Sequence, residues 1–184
     1  MRLATLPLLA FLLTAPAARA TVVVERPVEE LTRRATVVVH GIVTGSKTTW
    51  EEAEMLPATR TTLKVVTALK GDAGDAVVVR QSAGRAKGVA LAIPGDARFA
   101  VGEEVVVFLE RHPSEPGSWV LTSMAAAKFQ VRHDAKGDLA VRDLGGLSFA
   151  KRDRDGRVRV DEKVRPSATI PLPDLLSRIT AARR

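Results

Sequence analysis

Hydrophobic residues in this chain recur in short runs and at every second position, a pattern that indicates β-strands. The clearest run is residues 36–44, T-V-V-V-H-G-I-V-T. Its side chains alternate between the two faces of a strand, with Val37, Val39 and Val43 on one face. Gly41 interrupts the run, and a glycine inside a strand usually marks a bulge or a sharp coil. We therefore predict that this strand coils and pairs with more than one neighbour.

Several other segments have strand patterns. Residues 61–69 alternate strictly, end at the turn Lys70-Gly71-Asp72, and are followed by residues 76–80, which predicts a hairpin. The run V-V-V-F-L at 105–109 is apolar on both faces, which predicts a central strand covered on two sides. Further short strands are predicted at 119–124, 128–132 and 139–142. Residues 46–57 are polar and predict a loop, and residues 82–102 predict a long irregular segment that contains five glycine or proline positions.

Two segments have helical spacing. Pro27 suits a first helical position, and Val28, Leu31 and Ala35 follow on one face. The second helix is predicted from the apolar residues Leu172, Leu175, Leu176 and Ile179. Six or seven short strands with two short helices favour an all-β barrel or sandwich over a parallel sheet.

The first 20 residues resemble a secretory signal peptide. Arg2 precedes an apolar stretch at 6–13, and the small-residue motif Ala18-Arg19-Ala20 follows. A membrane-spanning helix needs about 20 continuous apolar residues, and this stretch is shorter. We expect cleavage before Thr21 and export to the periplasm or out of the cell, without a transmembrane segment. Because the chain has no cysteine, neither disulfides nor a lipid-modified cysteine are expected.

Charge is distributed unevenly in the predicted mature chain. Residues 21–150 contain 16 Lys and Arg against 16 Asp and Glu, whereas residues 151–184 contain 10 against 5. We predict a β-barrel domain at 21–150 and a basic hairpin with an amphipathic helix at 151–184, packed on the same domain. The basic segment is consistent either with a polyanion-binding surface or with an ordinary solvated one.

No catalytic motif is complete. Gly45-Ser46-Lys47-Thr48 lacks the spacing of a phosphate-binding loop, in which Lys directly follows the second Gly. The segment G-L-S-F-A around Ser148 is close to a nucleophile elbow, but all three histidines precede that serine. We therefore predict that the protein is not an enzyme and needs no cofactor.

Metal binding is not predicted either. The three histidines lie at least 21 residues apart in the chain. With Gly156 at position six of a calcium loop, Asp153, Asp155 and Glu162 fall at positions three, five and twelve, but Lys151 occupies position one, where an acid is required. A polar β-turn at Asp155-Gly156 is the better interpretation.

Residues 27–80 resemble the opening of tissue-inhibitor-of-metalloproteinase and netrin-like domains. The similarity lies in a short helix ending at Ala35, the run T-V-V-V-H-G-I-V, and an alternating strand that closes on Leu69-Lys70-Gly71. The resemblance implies an OB-like antiparallel β-barrel, here with a C-terminal helix. It also implies binding to a protein partner such as an extracellular protease. In the inhibitors the residue at the mature N-terminus ligates the protease zinc, and that position corresponds to Thr21.

Our prediction is a non-enzymatic exported β-barrel domain that binds a protein partner, as an inhibitor or a regulator. The candidate partner-binding residues are Thr21 at the predicted new N-terminus and, in the long segment 82–102, Arg85, Lys87 and Phe99. The alternative is an envelope-binding module whose basic C-terminal segment contacts anionic polymer or lipid headgroups. Nucleic-acid binding is not expected, because the few aromatic residues lie among apolar neighbours typical of a core.

Overall fold

The computed structural model describes residues 21–153, 155–161 and 167–183. The predicted signal peptide and Glu162 lie outside these residues. The helices are α1 (Val28–Arg34), a 3₁₀ turn (Met124–Ala127) and α2 (Leu172–Ala182). The strands are β1 (Thr21–Val24), β2 (Val37–Glu51), β3 (Leu56–Lys70), β4 (Ala76–Gln81), β5 (Gly84–Ala86), β6 (Val89–Leu91), β7 (Glu104–Arg111), β8 (Ser118–Leu121), β9 (Lys128–Arg132), β10 (Leu139–Asp143), β11 (Leu147–Arg152), β12 (Val158–Asp161) and β13 (Ser167–Pro171). The prediction of a β-rich fold with two short α-helices is confirmed.

Most strands belong to one sheet. Its order is β13-β10-β9-β7-β2-β3-β4-β8, and β8 also pairs with β7, so β2, β3, β4, β8 and β7 form a closed ring of pairings. A second sheet has the order β1-β11-β12, and β5 and β6 form a small hairpin. The pairs β4–β8 and β1–β11 are parallel, so the prediction of a wholly antiparallel arrangement is wrong at these two places. Each joins strands that are distant in the chain, where no tight turn imposes an antiparallel direction.

Strand β2 has the predicted faces and the predicted irregularity. It pairs with both β3 and β7, and its register with β3 shifts between His40 and Gly41. The loop predicted at 46–57 is wrong, because β2 continues to Glu51 and β3 already begins at Leu56. In this extension, polar side chains pair across the two strands instead of alternating with apolar ones. For example, the hydroxyl oxygens of Thr48 and Thr59 lie 2.8 Å apart.

Two apolar cores lie on opposite sides of the main sheet. The inner core, inside the ring of pairings, contains Val37, Val39 and Val43 with alternate residues of β3, β4 and β7. The outer core contains Val38, alternate residues of β7 and β9, and the apolar faces of α1 and α2. Strand β7 contributes to both cores, as predicted from its continuous apolar run.

Polar contacts hold both helices in place. Lys70 Nζ donates to the carbonyl oxygens of Thr32 and Ala35, each at 2.7 Å, which caps the C-terminal end of α1. Arg178 on α2 pairs with Glu29 on α1 at 2.6 and 2.9 Å. In the part of the chain that the structure describes, no helix combines the length and hydrophobicity needed to cross a membrane.

The segment 92–100, which follows β6, is tied to three other parts of the fold. The Thr21 hydroxyl donates to the Pro94 carbonyl at 2.5 Å, and the Ala125 amide donates to the Gly95 carbonyl at 3.1 Å. Gly95 also has a positive φ of 78°, and a Cβ there would lie 2.3 Å from a side-chain carbon of Leu147. These contacts hold the segment against β1, the 3₁₀ turn and β11, and the segment lines one cavity together with residues of β9, β10 and β13.

Candidate functional site

An open groove of about 820 Å³ lies between segment 92–100 and the sheet formed by β9, β10 and β13. The segment forms the wall, and the sheet forms the floor. Its volume falls within the range of about 300–1,000 Å³ that is usual for ligand sites. We call this cavity the groove and treat it as the candidate functional site.

Alternation along β9 decides which side chains face the groove. Lys128, Gln130 and Arg132 line it, whereas Phe129 and Val131 are buried in the outer core on the opposite face. The β9 sequence K-F-Q-V-R therefore supplies a polar floor on one side and core on the other.

Strands β10 and β13 extend this floor in register. Gln130 lies opposite Val141, and Val141 lies opposite Thr169. Asp143 lies opposite Ser167 in the adjacent row. The floor is therefore polar at its margins, with the apolar side chain of Val141 at its centre.

An ion pair occupies one end of the groove. Lys128 Nζ lies 2.5 Å from Glu103 Oε1, donates to the Arg98 carbonyl at 2.5 Å, and lies 4.9 Å from the centre of the Phe99 ring. The Lys128 and Glu103 side chains are only 12% and 8% exposed. Their charges therefore offset each other within the protein instead of facing a ligand.

The other carboxylates of the groove are also engaged. Burial raises the pKa of the Asp96 carboxyl, which accepts a hydrogen bond from the Ala97 amide at 2.9 Å. Asp143 accepts from the Gly145 amide at 2.8 Å. In contrast, Arg98 and Arg132 are exposed and form no ion pair with a described carboxylate, although Arg132 donates to Gln130 Oε1 at 3.3 Å.

The four predicted partner-binding residues lie on two surfaces. Phe99 lines the groove, and Thr21 is bonded to its wall through Pro94. Arg85 and Lys87 do not line it, because they lie on or beside the β5–β6 hairpin. Lys87 pairs with Glu52 there and lies 5.7 Å from the Trp50 ring centre. The structure therefore brings Thr21 and Phe99 together but separates them from Arg85 and Lys87.

Two of the histidines converge on one carboxylate, which the sequence analysis missed. His40 Nε2 lies 2.6 Å from Glu104 Oε1, and His133 Nε2 lies 3.1 Å from Glu104 Oε2. His133 Nδ1 also lies 2.8 Å from Asp138 Oδ1. The available signal was Glu104 directly before the predicted strand at 105–109, because antiparallel pairing with β2 puts Glu104 opposite Ile42, two residues from His40.

The protonation of Glu104 and that of His133 influence each other. Burial alone would raise the pKa of the Glu104 carboxyl, but hydrogen bonds from His40 and His133 outweigh burial and hold that pKa below its usual range. The hydrogen bond to Asp138, followed by the one to Glu104, raises the pKa of His133. The glutamate thus stabilises the charged form of His133 and links β7 to the turn between β9 and β10.

The structure also locates the candidate metal motifs. Asp153 Oδ1 accepts from the amides of Asp155 and Arg157 at 3.1 and 2.8 Å, so its carboxylate closes the predicted turn. Position twelve of the calcium pattern, Glu162, lies outside the described residues. Among the described residues, no three His, Asp or Glu side chains form a group that could hold a metal ion.

Several basic residues of the C-terminal segment contact the protein itself. Arg178 pairs with Glu29, and Arg183 donates to the Leu69 carbonyl at 3.4 Å. Arg159 is 76% exposed and lies 3.5 Å from Asp153. Arg159 on the β11–β12 hairpin is therefore more exposed to solvent than Arg178 on α2.

No model of a known protein family matches the chain, and no curated protein gives a significant match.

Proposed function

We propose that the protein is a non-enzymatic, exported binding module that holds a segment of a protein partner in the groove. The observation that carries this proposal is an open cavity lined by the apolar side chains of Val141 and Phe99 together with hydrogen-bonding side chains. Partner-binding surfaces commonly combine an apolar centre with a polar rim. The proposed export depends on the signal-peptide pattern of residues 1–20.

The chemistry of the groove favours recognition over catalysis. Lys128 and Glu103 neutralise each other, and Asp96 and Asp143 accept hydrogen bonds from backbone amides. These groups are thus held by the protein instead of being presented to a reacting atom.

The edge of the sheet supports the same proposal. Among the described strands, β13 pairs with β10 on one side only, and two of its side chains line the groove. An edge strand presents backbone N–H and C=O groups, which can bind an extended segment of another protein.

The closed ring of pairings supports the finer proposal of an OB-type barrel, because an OB-fold is a five-stranded barrel. Similarity to netrin-like domains then motivates an extracellular protease as one partner to test. Inhibition assays against a panel of metalloproteases address this partner class. If every protease keeps full activity at saturating protein, extracellular proteases of this class are excluded as partners.

The proposal is tested by filling the groove with a bulky side chain. We expect that purified residues 21–184 capture a partner from exported proteins and that Thr169→Trp, which fills the exposed floor, abolishes capture. The matched control is Thr67→Trp, because Thr67 is exposed on β3 and does not line the groove. Thermal melts confirm that both variants are folded. Equal capture by Thr169→Trp and the unmodified chain, or no capture by either, would refute the proposal.

The exposed basic hairpin supports the alternative of envelope binding, because Arg157 and Arg159 are exposed cations among its described residues. Truncation after Ala150 is unsuitable as a test, because it cuts β11 and removes the core residues of α2. The double variant R157Q and R159Q is the better test. If this alternative holds, the variant loses salt-sensitive binding to vesicles containing anionic lipid. Unchanged binding would exclude the hairpin as the contact.

A further inference from the structure

We propose that His133 holds the turn between β9 and β10, residues 133–138, against strand β7 only while its ring is doubly protonated. We call the three side chains of His133, Asp138 and Glu104 the clasp. The inference goes beyond partner binding, because it concerns a contact within the fold that responds to pH. It is carried by the positions of the two ring nitrogens, which face two different carboxylates.

Both nitrogens of the His133 ring contact carboxylate oxygens. Nδ1 lies 2.8 Å from Asp138 Oδ1, and Nε2 lies 3.1 Å from Glu104 Oε2. A neutral imidazole has one N–H group, whereas the imidazolium ion has two. Both contacts are therefore hydrogen bonds only when the ring is doubly protonated. In the neutral ring, the lone pair of one nitrogen faces a carboxylate oxygen and is repelled by it.

The second histidine on the same glutamate does not need a second proton. His40 Nε2 lies 2.6 Å from Glu104 Oε1, and one proton on that nitrogen completes the contact. Hydrogen bonds from both histidines hold the pKa of Glu104 below its usual range, so this carboxylate is ionised near neutral pH. The clasp therefore responds to the protonation of His133 and not to that of His40.

The charges around His133 favour the closed clasp. Asp138 in the turn and Glu104 on β7 both raise the pKa of His133, through hydrogen bonds and through their charge. Asp134 and Lys136 are the other charged residues of the turn, and the Asp134 carboxylate accepts a hydrogen bond from the Lys136 amide at 2.9 Å. The two carboxylates of the clasp are thus the charges that stabilise the imidazolium ion.

The clasp connects the turn to other parts of the fold. Glu104 is the first residue of β7, and the Asp138 carbonyl accepts a hydrogen bond from the Leu172 amide at the start of α2, at 2.8 Å. Arg132, directly before His133, is the last residue of β9 and lines the groove. When the clasp opens, we expect the turn to move away from β7 and the Leu172 amide to become accessible to water.

Amide hydrogen exchange of residues 21–184, followed by NMR, tests the clasp. The protection factor of the Leu172 amide, which is corrected for the intrinsic effect of pH on exchange, is compared at about pH 5.5 and about pH 8.5. It is expected to be at least about threefold lower at the higher pH, because exposed ion pairs contribute modestly. The Thr122 amide, which donates to the Phe108 carbonyl at 3.0 Å, should change less.

Three variants assign the effect to individual side chains. In Glu104→Gln, the new amide can donate to the neutral His133 ring while its oxygen accepts from His40, so protection should no longer depend on pH. His133→Gln should also abolish the dependence, because the titrating ring is gone. The matched control His40→Gln removes the other ring but keeps a donor to Glu104, and the pH dependence should remain. Thermal melts confirm that the variants are folded.

Three results would overturn the inference. The first is equal protection of the Leu172 amide at the two pH values in the unmodified chain. The second is a pH dependence that persists in His133→Gln or disappears in His40→Gln. The third is an unchanged pH dependence in Glu104→Gln. None of these measurements involves a partner, so failure of the clasp leaves the proposed binding function intact.

Discussion

Arg60 and Glu115, 55 residues apart in the chain, form a two-point ion pair. Arg60 Nε lies 2.9 Å from Glu115 Oε1, and Arg60 Nη2 lies 2.8 Å from Glu115 Oε2. Arg60 is on β3 and Glu115 is in the turn between β7 and β8, so the pair links two parts of the ring of strand pairings. The same arginine also contacts Glu51 at 2.7 Å near the end of β2.

A second arginine, Arg80, lies beside the same carboxylate of Glu115. Arg80 is only 5% exposed, contacts Glu54 at 2.6 Å, and donates from Nη1 toward His112 Nε2 at 2.9 Å. Its Nε lies 2.9 Å from Glu115 Oε2 without the alignment of a hydrogen bond, so this contact is Coulombic. Glu115 therefore compensates the charge of a nearly buried guanidinium group as well as that of Arg60.

We predict that Glu115→Gln lowers the free energy of unfolding by about 2 kcal/mol, because hydrogen bonds to charged groups are lost beside buried Arg80. Urea denaturation at neutral pH measures this change. The matched control is Glu110→Gln, whose contact with Arg34 is 4.0 Å long and exposed, with an expected change below about 0.5 kcal/mol. Similar losses in both variants would show that the network around Glu115 contributes no special stability.

The same residue makes stability dependent on pH. The hydrogen bond from Arg60 lowers the pKa of Glu115 from 4.5 to about 2. Because the folded-state pKa is depressed, this contribution is complete above pH 4.5 and is lost as the pH falls toward 2. The stability difference between the unmodified chain and Glu115→Gln should therefore shrink across this interval. A difference that stays constant down to pH 2 would contradict the assignment.

His133 should titrate above its ordinary pKa of 6.5, because Asp138 and Glu104 stabilise its charged form. Its contribution to stability is therefore complete below pH 6.5 and is lost as the pH rises through the elevated folded-state pKa. Proton NMR of the His133 ring measures the midpoint. Asp138→Asn should lower that midpoint, whereas Asp134→Asn, in the same turn but bonded to the Lys136 amide, should change it less. A midpoint at or below 6.5 in the unmodified chain would exclude this effect.

Gly41 is required by close packing within β2. A Cβ at this position would lie 2.6 Å from the Lys64 carbonyl oxygen and 3.3 Å from a side-chain carbon of Val39. We predict that Gly41→Ala lowers the free energy of unfolding by about 1–3 kcal/mol, because the paired backbone must shift. Thermal and urea melts measure the loss.

Gly45 provides the matched control, since it lies in the same strand and has no atom within 4 Å of its ideal Cβ position. Gly45→Ala should be neutral or stabilising by up to about 1 kcal/mol, because alanine restricts the unfolded chain. A loss in Gly45→Ala equal to that in Gly41→Ala would show that the β-propensity of the strand, and not the contact with Lys64, determines the effect.

The groove was only partly predictable. Phe99 in the long segment and Thr21 at the predicted N-terminus are candidates from the sequence, and they lie at the groove or its wall. Arg98 and Arg132 also line the groove. The sequence does not predict this, because an arginine in a basic chain has no local feature that separates a groove position from an ordinary surface position. The pairing of β9 with β10, and of β10 with β13, brings the floor together from three separate segments.

The strand character of residues 36–44, the two faces of β2, the central position of β7 and the two short helices can all be predicted from the sequence. Those features depend on the order of apolar and polar residues within a few positions, which is a local property. Three other features are visible only in the folded chain: the extension of β2 through a polar stretch, the convergence of His40 and His133 on Glu104, and the groove. These features depend on which distant strands pair and in what register, and the alternation along a single strand does not specify its partner.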